Sequence, residues 1–277
     1  MLDKTSAALV IEPATWIWSK WLKLRDQSQF KYRHFTHYEF IEDEMGRSEI
    51  QDDLAKLLYS YHSSSPINTN LLAQLKYRQL ASVLTRSGDM RPHDTKTRSG
   101  NLVEILACEF AKKLGYDIPI LRLQYNPNPE QSMKGDDILG FQFSESGGGR
   151  DAFLVGEGKF RGQFNRRAVI EAYEGLTRKT RSYPVSTEFT ATILTLRGQQ
   201  STAVKIRQLS RKLASQDKSV DRVNLLFLGT VGQPQNPFEY LEECGSDLLP
   251  GLMAVNIVFK NTFQNWINEV YSKEYWD

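Results

Sequence analysis

Between residues 153 and 160 the chain reads Phe153-Leu154-Val155-Gly156-Glu157-Gly158-Lys159-Phe160, an apolar segment that contains one acid and one lysine. Side chains of a β-strand alternate between its two faces, so residues 153, 155, 157 and 159 are expected to share one face. Glu157 and Lys159 are then neighbours on a half-buried strand. An unpaired charge is costly in such a place, and this pair therefore predicts a chemical role.

A second acid precedes this strand by one hairpin. The chain reads Lys134-Gly135-Asp136-Asp137 and then enters the apolar segment 138–141. The twenty positions from Asp137 to Glu157 accommodate a short strand, a glycine-rich turn over 144–150 and an antiparallel return. The hairpin should bring Asp137 close to Glu157. Asp136 is the alternative acid, and Asp137 is preferred because it directly adjoins the strand.

A helix starting near Gly100 carries the third acid. Glu104 lies near its beginning, and Glu109 is the competing acid on the same helix. Carboxylate oxygens are the ligands that Mg²⁺ takes, with water and phosphate oxygens in its remaining positions. A nearby ammonium group can stabilise the charge that develops on a phosphate under attack. Three acids and one lysine therefore predict metal-assisted phosphate chemistry.

The order helix, acid, strand and Glu-x-Lys resembles the PD-(D/E)XK nuclease superfamily. Asp137, Glu157 and Lys159 occupy its three signature positions, although the proline that often precedes the Asp is absent. The resemblance implies a restriction-endonuclease-like α/β fold, a mixed central sheet flanked by helices. It also implies that Glu104, Asp137 and Glu157 hold Mg²⁺, with Mn²⁺ as a substitute, while Lys159 orients or activates water.

Three short motifs in order are similar to the HamA family, nuclease subunits of the Hachiman anti-phage defence system. They are Gly-x-x-x-Glu-Ile-Leu from Gly100, Lys-Gly-Asp-Asp from Lys134 and Gly-Glu-Gly-Lys-Phe from Gly156. This similarity implies a metal-dependent DNA endonuclease that is held by a helicase partner, HamB, and released when abnormal DNA is sensed. Two alternatives remain: a catalytically silent subunit that binds nucleic acid or the helicase, and a restriction-type enzyme that cuts a specific sequence.

Positive charge is concentrated after the Glu-x-Lys strand. The whole chain has a net charge of +2, but residues 161–222 contain thirteen Lys or Arg and five Asp or Glu. A phosphate backbone would be held by such a region, and binding would then depend strongly on salt. The first candidates for nucleic-acid contacts are Arg161, Gln163, Arg166 and Arg167. A solvated, charged helix face is the alternative interpretation.

The chain is predicted to divide near residue 95. Residues 1–95 are expected to be a mostly helical region, with amphipathic helices around 54–61 and 71–84. Trp16, Trp18 and Trp21 in this region indicate either core packing or a surface for a partner. Residues 96–277 are expected to form the nuclease-like domain, with helices near 166–181, 202–215 and 263–270 and strands near 223–229 and 253–259.

Composition excludes several classes of protein. Of the 277 residues, 40% are hydrophobic and 25% are charged, as in ordinary globular proteins. No apolar run is long enough to span a membrane, and the first residues lack the pattern of a signal peptide, so a cytoplasmic protein without a membrane partner is expected. Cys108 and Cys244 lie far apart, which supports neither a disulfide nor a zinc site.

Overall fold

The fold is that of a computed structural model, which describes residues 13–26, 32–63, 90–126, 128–130, 137–144, 149–179, 183–232 and 236–276. The predicted helix over 71–84 and the acid Asp136 lie outside these residues. No helix in the part of the chain that is described has the length and apolar character needed to cross a membrane. Cys108 and Cys244 are both free thiols.

One mixed sheet of six strands organises the described residues, in the order β1-β2-β6-β5-β4-β3. Strands β2, β6, β5 and β4 run parallel to one another, and the edge strands β1 and β3 are antiparallel to their neighbours. The strands are β1 (Leu22–Leu24), β2 (Thr36–Glu42), β3 (Ile138–Gln142), β4 (Asp151–Arg161), β5 (Val220–Val231) and β6 (Leu252–Phe259).

Helices cover both faces of this sheet. They are α1 (Arg47–His62), α2 (Thr95–Lys113), α3 (Arg166–Lys179), α4 (Tyr183–Leu196), α5 (Gln200–Ala214), α6 (Glu239–Cys244) and α7 (Phe263–Tyr271). The predicted α/β class with a mixed sheet is confirmed. Helix α4 was not predicted, because its many Thr, Ile and Val residues weaken the helical signal in the sequence. It is stabilised by packing against α5.

The sheet separates two apolar cores. Helices α1, α2 and α7 pack on one face together with Leu154 of β4, and helices α3 to α6 pack on the other together with Phe153 and Val155. The predicted alternation of side chains along β4 is therefore confirmed. Strand β4 pairs with β3 on one side and β5 on the other, so backbone hydrogen bonds hold it along both edges.

The N-terminal region contributes to the same sheet. Strand β2 pairs in parallel with β6, with Tyr38 opposite Val255, and β1 extends the sheet beyond β2. Strands from both sides of residue 95 therefore belong to one sheet. Local periodicity does not show which strand β2 pairs with, because its partner lies more than 200 residues away in the sequence. Trp21 is fully buried in the core and Trp18 packs on Phe40, as core packing predicts.

Candidate active site

Glu157 and Lys159 form an ion pair on one face of β4. The ammonium nitrogen of Lys159 lies 2.9 Å from Oε1 of Glu157. The Glu157 side chain is 4% exposed and the Lys159 side chain is 34% exposed. The Glu157 carboxylate is thus enclosed by protein. The Lys159 ammonium group is partly exposed to solvent, so a substrate can contact it.

Asp137 lies at the edge of the sheet, directly before β3. The pairing of Ile138 with Gly156 places it beside the Glu157 to Lys159 segment of β4. Its Oδ2 accepts a hydrogen bond from the main-chain N–H of Gly158 at 3.1 Å, and its Oδ1 accepts one from Arg122 at 2.6 Å. The hairpin therefore brings Asp137 to the residue between Glu157 and Lys159, as the spacing predicts.

The backbone of Glu104 packs on the same segment from the face opposite Glu157. A β-carbon built on Gly158 would lie 3.5 Å from the α-carbon of Glu104, so the glycine allows α2 to pack directly on the strand. Helix α2 packs on the face of Leu154, whereas Glu157 faces α3. The backbone of Glu104 thus adjoins Gly158 on one face of the sheet, while Asp137 binds the Gly158 N–H from the edge and Glu157 faces α3.

The donor set has the chemistry of a site for a hard divalent cation, because it consists of carboxylate oxygens with a lysine beside them. In the present arrangement Asp137 is bonded to Arg122 and Glu157 to Lys159. No three His, Cys, Asp or Glu side chains among the described residues are grouped closely enough to hold a metal ion together. The acids therefore surround the strand without forming a closed set of ligands.

Glu109, the competing acid on α2, is buried in hydrogen bonds that hold the fold together. Its side chain is fully buried, and its carboxylate accepts hydrogen bonds from the main-chain N–H of Ala14 at 2.8 Å and the hydroxyl of Tyr61 at 2.7 Å. Lys112 donates a third at 2.6 Å. These contacts tie the N-terminal segment and α1 to α2. Of the two acids on this helix, Glu104 is the one whose backbone adjoins Gly158.

Two residues that sequence reasoning missed contact the site. Arg122 binds Asp137, and Gly175 of α3 packs on Glu157: a β-carbon at Gly175 would lie 3.1 Å from Oε1. A lone glycine inside a helical pattern is a signal of close packing, so Gly175 could have been noticed in the sequence. Arg122 lies in an irregular segment where no local signal indicates its partner.

The predicted nucleic-acid residues lie at the end of β4 and the start of α3, and most of them are paired with acids. Arg161 and Arg167 both bind Glu171, at 2.8 and 2.9 Å, and Arg166 forms an ion pair with Glu243. Gln163 is exposed. These three arginines therefore already have acidic partners within the fold, which a phosphate group would have to replace.

The chain matches known proteins over most of its length. The model of the HamA protein family matches residues 15–251, which is most of the chain. The chain belongs to the HamA family. This HamA-family chain is also 31% identical over 215 residues to the Hachiman protein HamA of Bacillus cereus, covering 75% of this chain and 74% of that protein. The match to the family model includes all four residues of the candidate site and the strand β2 that precedes α1.

Proposed function

We propose that this HamA-family chain is a metal-dependent DNA endonuclease and the effector subunit of an anti-phage defence complex with a helicase, HamB. The observation that carries the proposal is the arrangement around Gly158, where Glu157 and Lys159 are paired on one face at 2.9 Å and Asp137 binds the intervening N–H. The relative from Bacillus cereus is named as a Hachiman protein, which supports the defence role.

Each residue of the site has a distinct task in this proposal. Asp137, Glu157 and Glu104 would hold Mg²⁺ or Mn²⁺ after a rearrangement of their side chains, because in the arrangement described above no three acids are close enough to share an ion. The bound cation would supply Lewis acidity and a more acidic attacking water. Burial of Glu157 keeps its carboxylate in one orientation. The more exposed Lys159 ammonium donates hydrogen bonds to the phosphodiester and stabilises the negative charge that develops during attack.

Substrate binding would use the basic end of β4 and the start of α3. Arg161 lies two residues beyond Lys159 on the same face of the strand, so a phosphate near Lys159 also comes within reach of Arg161. Because Arg161 is paired with Glu171, bound DNA has to replace this acid as its partner. Binding would consequently be weaker than the local charge predicts.

A catalytically silent binding subunit is the second candidate function. It is favoured by the ion pairs themselves, since Arg122 neutralises Asp137 and Lys159 neutralises Glu157. Removal of Glu157 would then affect stability but no cleavage reaction. A restriction-type endonuclease remains a third interpretation, and it differs in producing discrete DNA fragments.

The deciding experiment measures Mg²⁺-dependent cleavage of plasmid and linear DNA by the purified protein, alone and with the helicase. The variants are Glu157→Gln, which keeps the shape of the side chain against Gly175, and Lys159→Ala. Asp221→Asn, an exposed acid paired with Arg150, is the control for loss of a carboxylate. We expect cleavage in the wild type and in the control, and none in the two site variants or with EDTA.

Absence of cleavage under all these conditions, by folded protein that still binds DNA, would contradict the nuclease and support the silent subunit. A fragment pattern of discrete bands rather than a smear would support the restriction-type interpretation. Cleavage that requires the helicase would place the active form in the complex.

A further inference from the structure

Arg122 places a positive charge directly on one acid of the candidate site. It begins the short turn Arg122–Tyr125, which lies between α2 and β3. Its Nη1 donates to Oδ1 of Asp137 at 2.6 Å, and the two side chains are only 11% and 16% exposed. A charge-assisted hydrogen bond that is shielded from water in this way is stronger than an exposed one.

The turn that carries Arg122 is anchored on two sides. Arg197, just after α4, donates to Oε1 of Gln124 at 2.9 Å and to the hydroxyl of Tyr125. The Gln124 amide donates to the carbonyl of Ser60 on α1 at 2.9 Å. Burial raises the pKa of Tyr125 to about 12, so its hydroxyl stays neutral at physiological pH. Arg122 is therefore presented to Asp137 by a fixed piece of backbone.

Stability alone does not explain this pair. A partly buried ion pair loses much of its attraction to desolvation, and apolar side chains of similar volume often serve as well. The position of the Arg122–Asp137 pair indicates a role in the candidate site. The other oxygen of Asp137 is bound to the N–H of Gly158, between Glu157 and Lys159, so the Arg122 charge lies next to the proposed cation ligands.

Building on the proposed metal-dependent cleavage, we propose that Arg122 is a positioning residue that also sets the affinity for divalent cations. Its guanidinium group orients Asp137 toward Gly158, and its positive charge opposes any cation held by the same carboxylate. DNA phosphates bring negative charge to the site and offset the repulsion between Arg122 and the cation. The protein therefore binds the cation more tightly when DNA is bound, and binds DNA more tightly when the cation is bound.

The test measures binding of Mn²⁺ and Mg²⁺ by titration calorimetry in the absence of DNA, and cleavage separately. Arg122→Gln removes the charge, and we expect it to bind the cations about tenfold more tightly, because a repelling charge within a few ångströms is lost. Arg122→Lys retains the charge and should keep nearly the wild-type affinity. Arg150→Gln removes a charge from an exposed pair with Asp221 and is the matched control, with unchanged affinity.

Cleavage at saturating Mg²⁺ should change in the opposite direction. Arg122→Gln replaces the charged guanidinium that orients Asp137 with a shorter, neutral amide, so its maximal rate should fall although it binds the cation more tightly. A non-cleavable phosphorothioate DNA should tighten cation binding in the wild type, and this coupling should be smaller in Arg122→Gln. Circular dichroism and thermal unfolding establish that each variant is folded.

If Arg122→Gln does not fold, Arg122→Met carries the same test, because it fills the space of the arginine stem without introducing polar groups. Cation affinity that is unchanged or weaker in a folded, charge-free variant overturns the inference while the proposed nuclease stands. A wild type that binds no divalent cation and does not cleave DNA overturns the proposed function and this inference with it.

Discussion

Gly175 of α3 faces the carboxylate of Glu157 so closely that a β-carbon on Gly175 would lie 3.1 Å from Oε1 and 3.2 Å from Cδ. The helix thus forms one wall around the acid of the Glu-x-Lys strand. Because Glu157 also binds Lys159 at 2.9 Å, a shift of its carboxylate alters the position of both groups. A residue 18 positions further along the chain therefore limits where the acid can lie.

Gly175→Ala should lower DNA cleavage about tenfold and Gly175→Val about a hundredfold, since small displacements of reacting groups have large effects on rate. Stability should not fall for the alanine variant, because Ala is favoured over Gly inside a helix by up to about 1 kcal/mol. Single-turnover cleavage and urea unfolding measure the two quantities. Gly100→Ala is the control, since nothing lies within 4 Å of its added β-carbon. A cleavage rate equal to that of the wild type in Gly175→Val would show that the packing of α3 does not position Glu157.

Exchange of each acid on α2 for its amide should separate catalysis from stability. Glu109→Gln leaves Lys112, which is 8% exposed, without its counter-charge, and we expect a loss of about 3 kcal/mol in unfolding free energy. Glu104→Gln should change stability by less than about 1 kcal/mol and abolish cleavage. Urea unfolding and a cleavage assay on both variants check this. If Glu109→Gln were stable and inactive while Glu104→Gln kept full activity, the assignment of the two acids would be reversed.

Removal of the acid shared by two arginines should strengthen DNA binding. Glu171 binds Arg161 at 2.8 Å and Arg167 at 2.9 Å, and Glu171→Gln makes both available to phosphates. The slope of log affinity against log salt should steepen by about one to two, because each new phosphate contact releases counterions. Fluorescence anisotropy with catalytically inactive Glu157→Gln protein measures it. The matched control is the triple variant with Arg161→Gln and Arg167→Gln, in which the gain should vanish. An unchanged slope in Glu171→Gln would place the DNA elsewhere.

His62 should make stability depend on pH between pH 6.5 and about 4. Burial lowers its pKa from 6.5 to about 4. Its Nδ1–H donates to the carbonyl of Leu58, and its Nε2 accepts from the amide of Asn101, so the neutral ring fits this place. Below pH 6.5 the His62 imidazole of the unfolded chain binds a proton, whereas the buried imidazole of the folded chain stays neutral down to about pH 4. The free energy of unfolding therefore falls as the pH falls.

The expected loss is about 3 kcal/mol of unfolding free energy from pH 7 to pH 4. Urea unfolding of wild type and His62→Gln across this range isolates the contribution of the histidine, because other titrating groups are common to both. The variant should be less stable at pH 7 and should lack this part of the pH dependence. Parallel curves for the two proteins would refute the assignment.

Strand β4 and its hairpin could be predicted from the sequence in detail. The alternation of apolar and charged residues placed Glu157 and Lys159 on one face, and the interval to Asp137 predicted the antiparallel return. Helix α2 was also predicted, although it begins at Thr95 rather than near Gly100, so that Glu104 lies in its middle. These features are local, because a strand repeats every two residues and a helix every 3.6, and the order of side chains records both periods directly.

The partners of the charged groups were decided only by the tertiary structure. Arg122 meets Asp137 because Arg197 anchors its turn, and Arg166 meets Glu243 across 77 residues of chain. The same holds for the parallel pairing of β2 with β6. The sequence by itself determined which acids and lysine belong to one strand, one hairpin and one helix. The packing of distant segments determined which charged groups pair with these acids, because an ion pair depends on distances that no local pattern encodes.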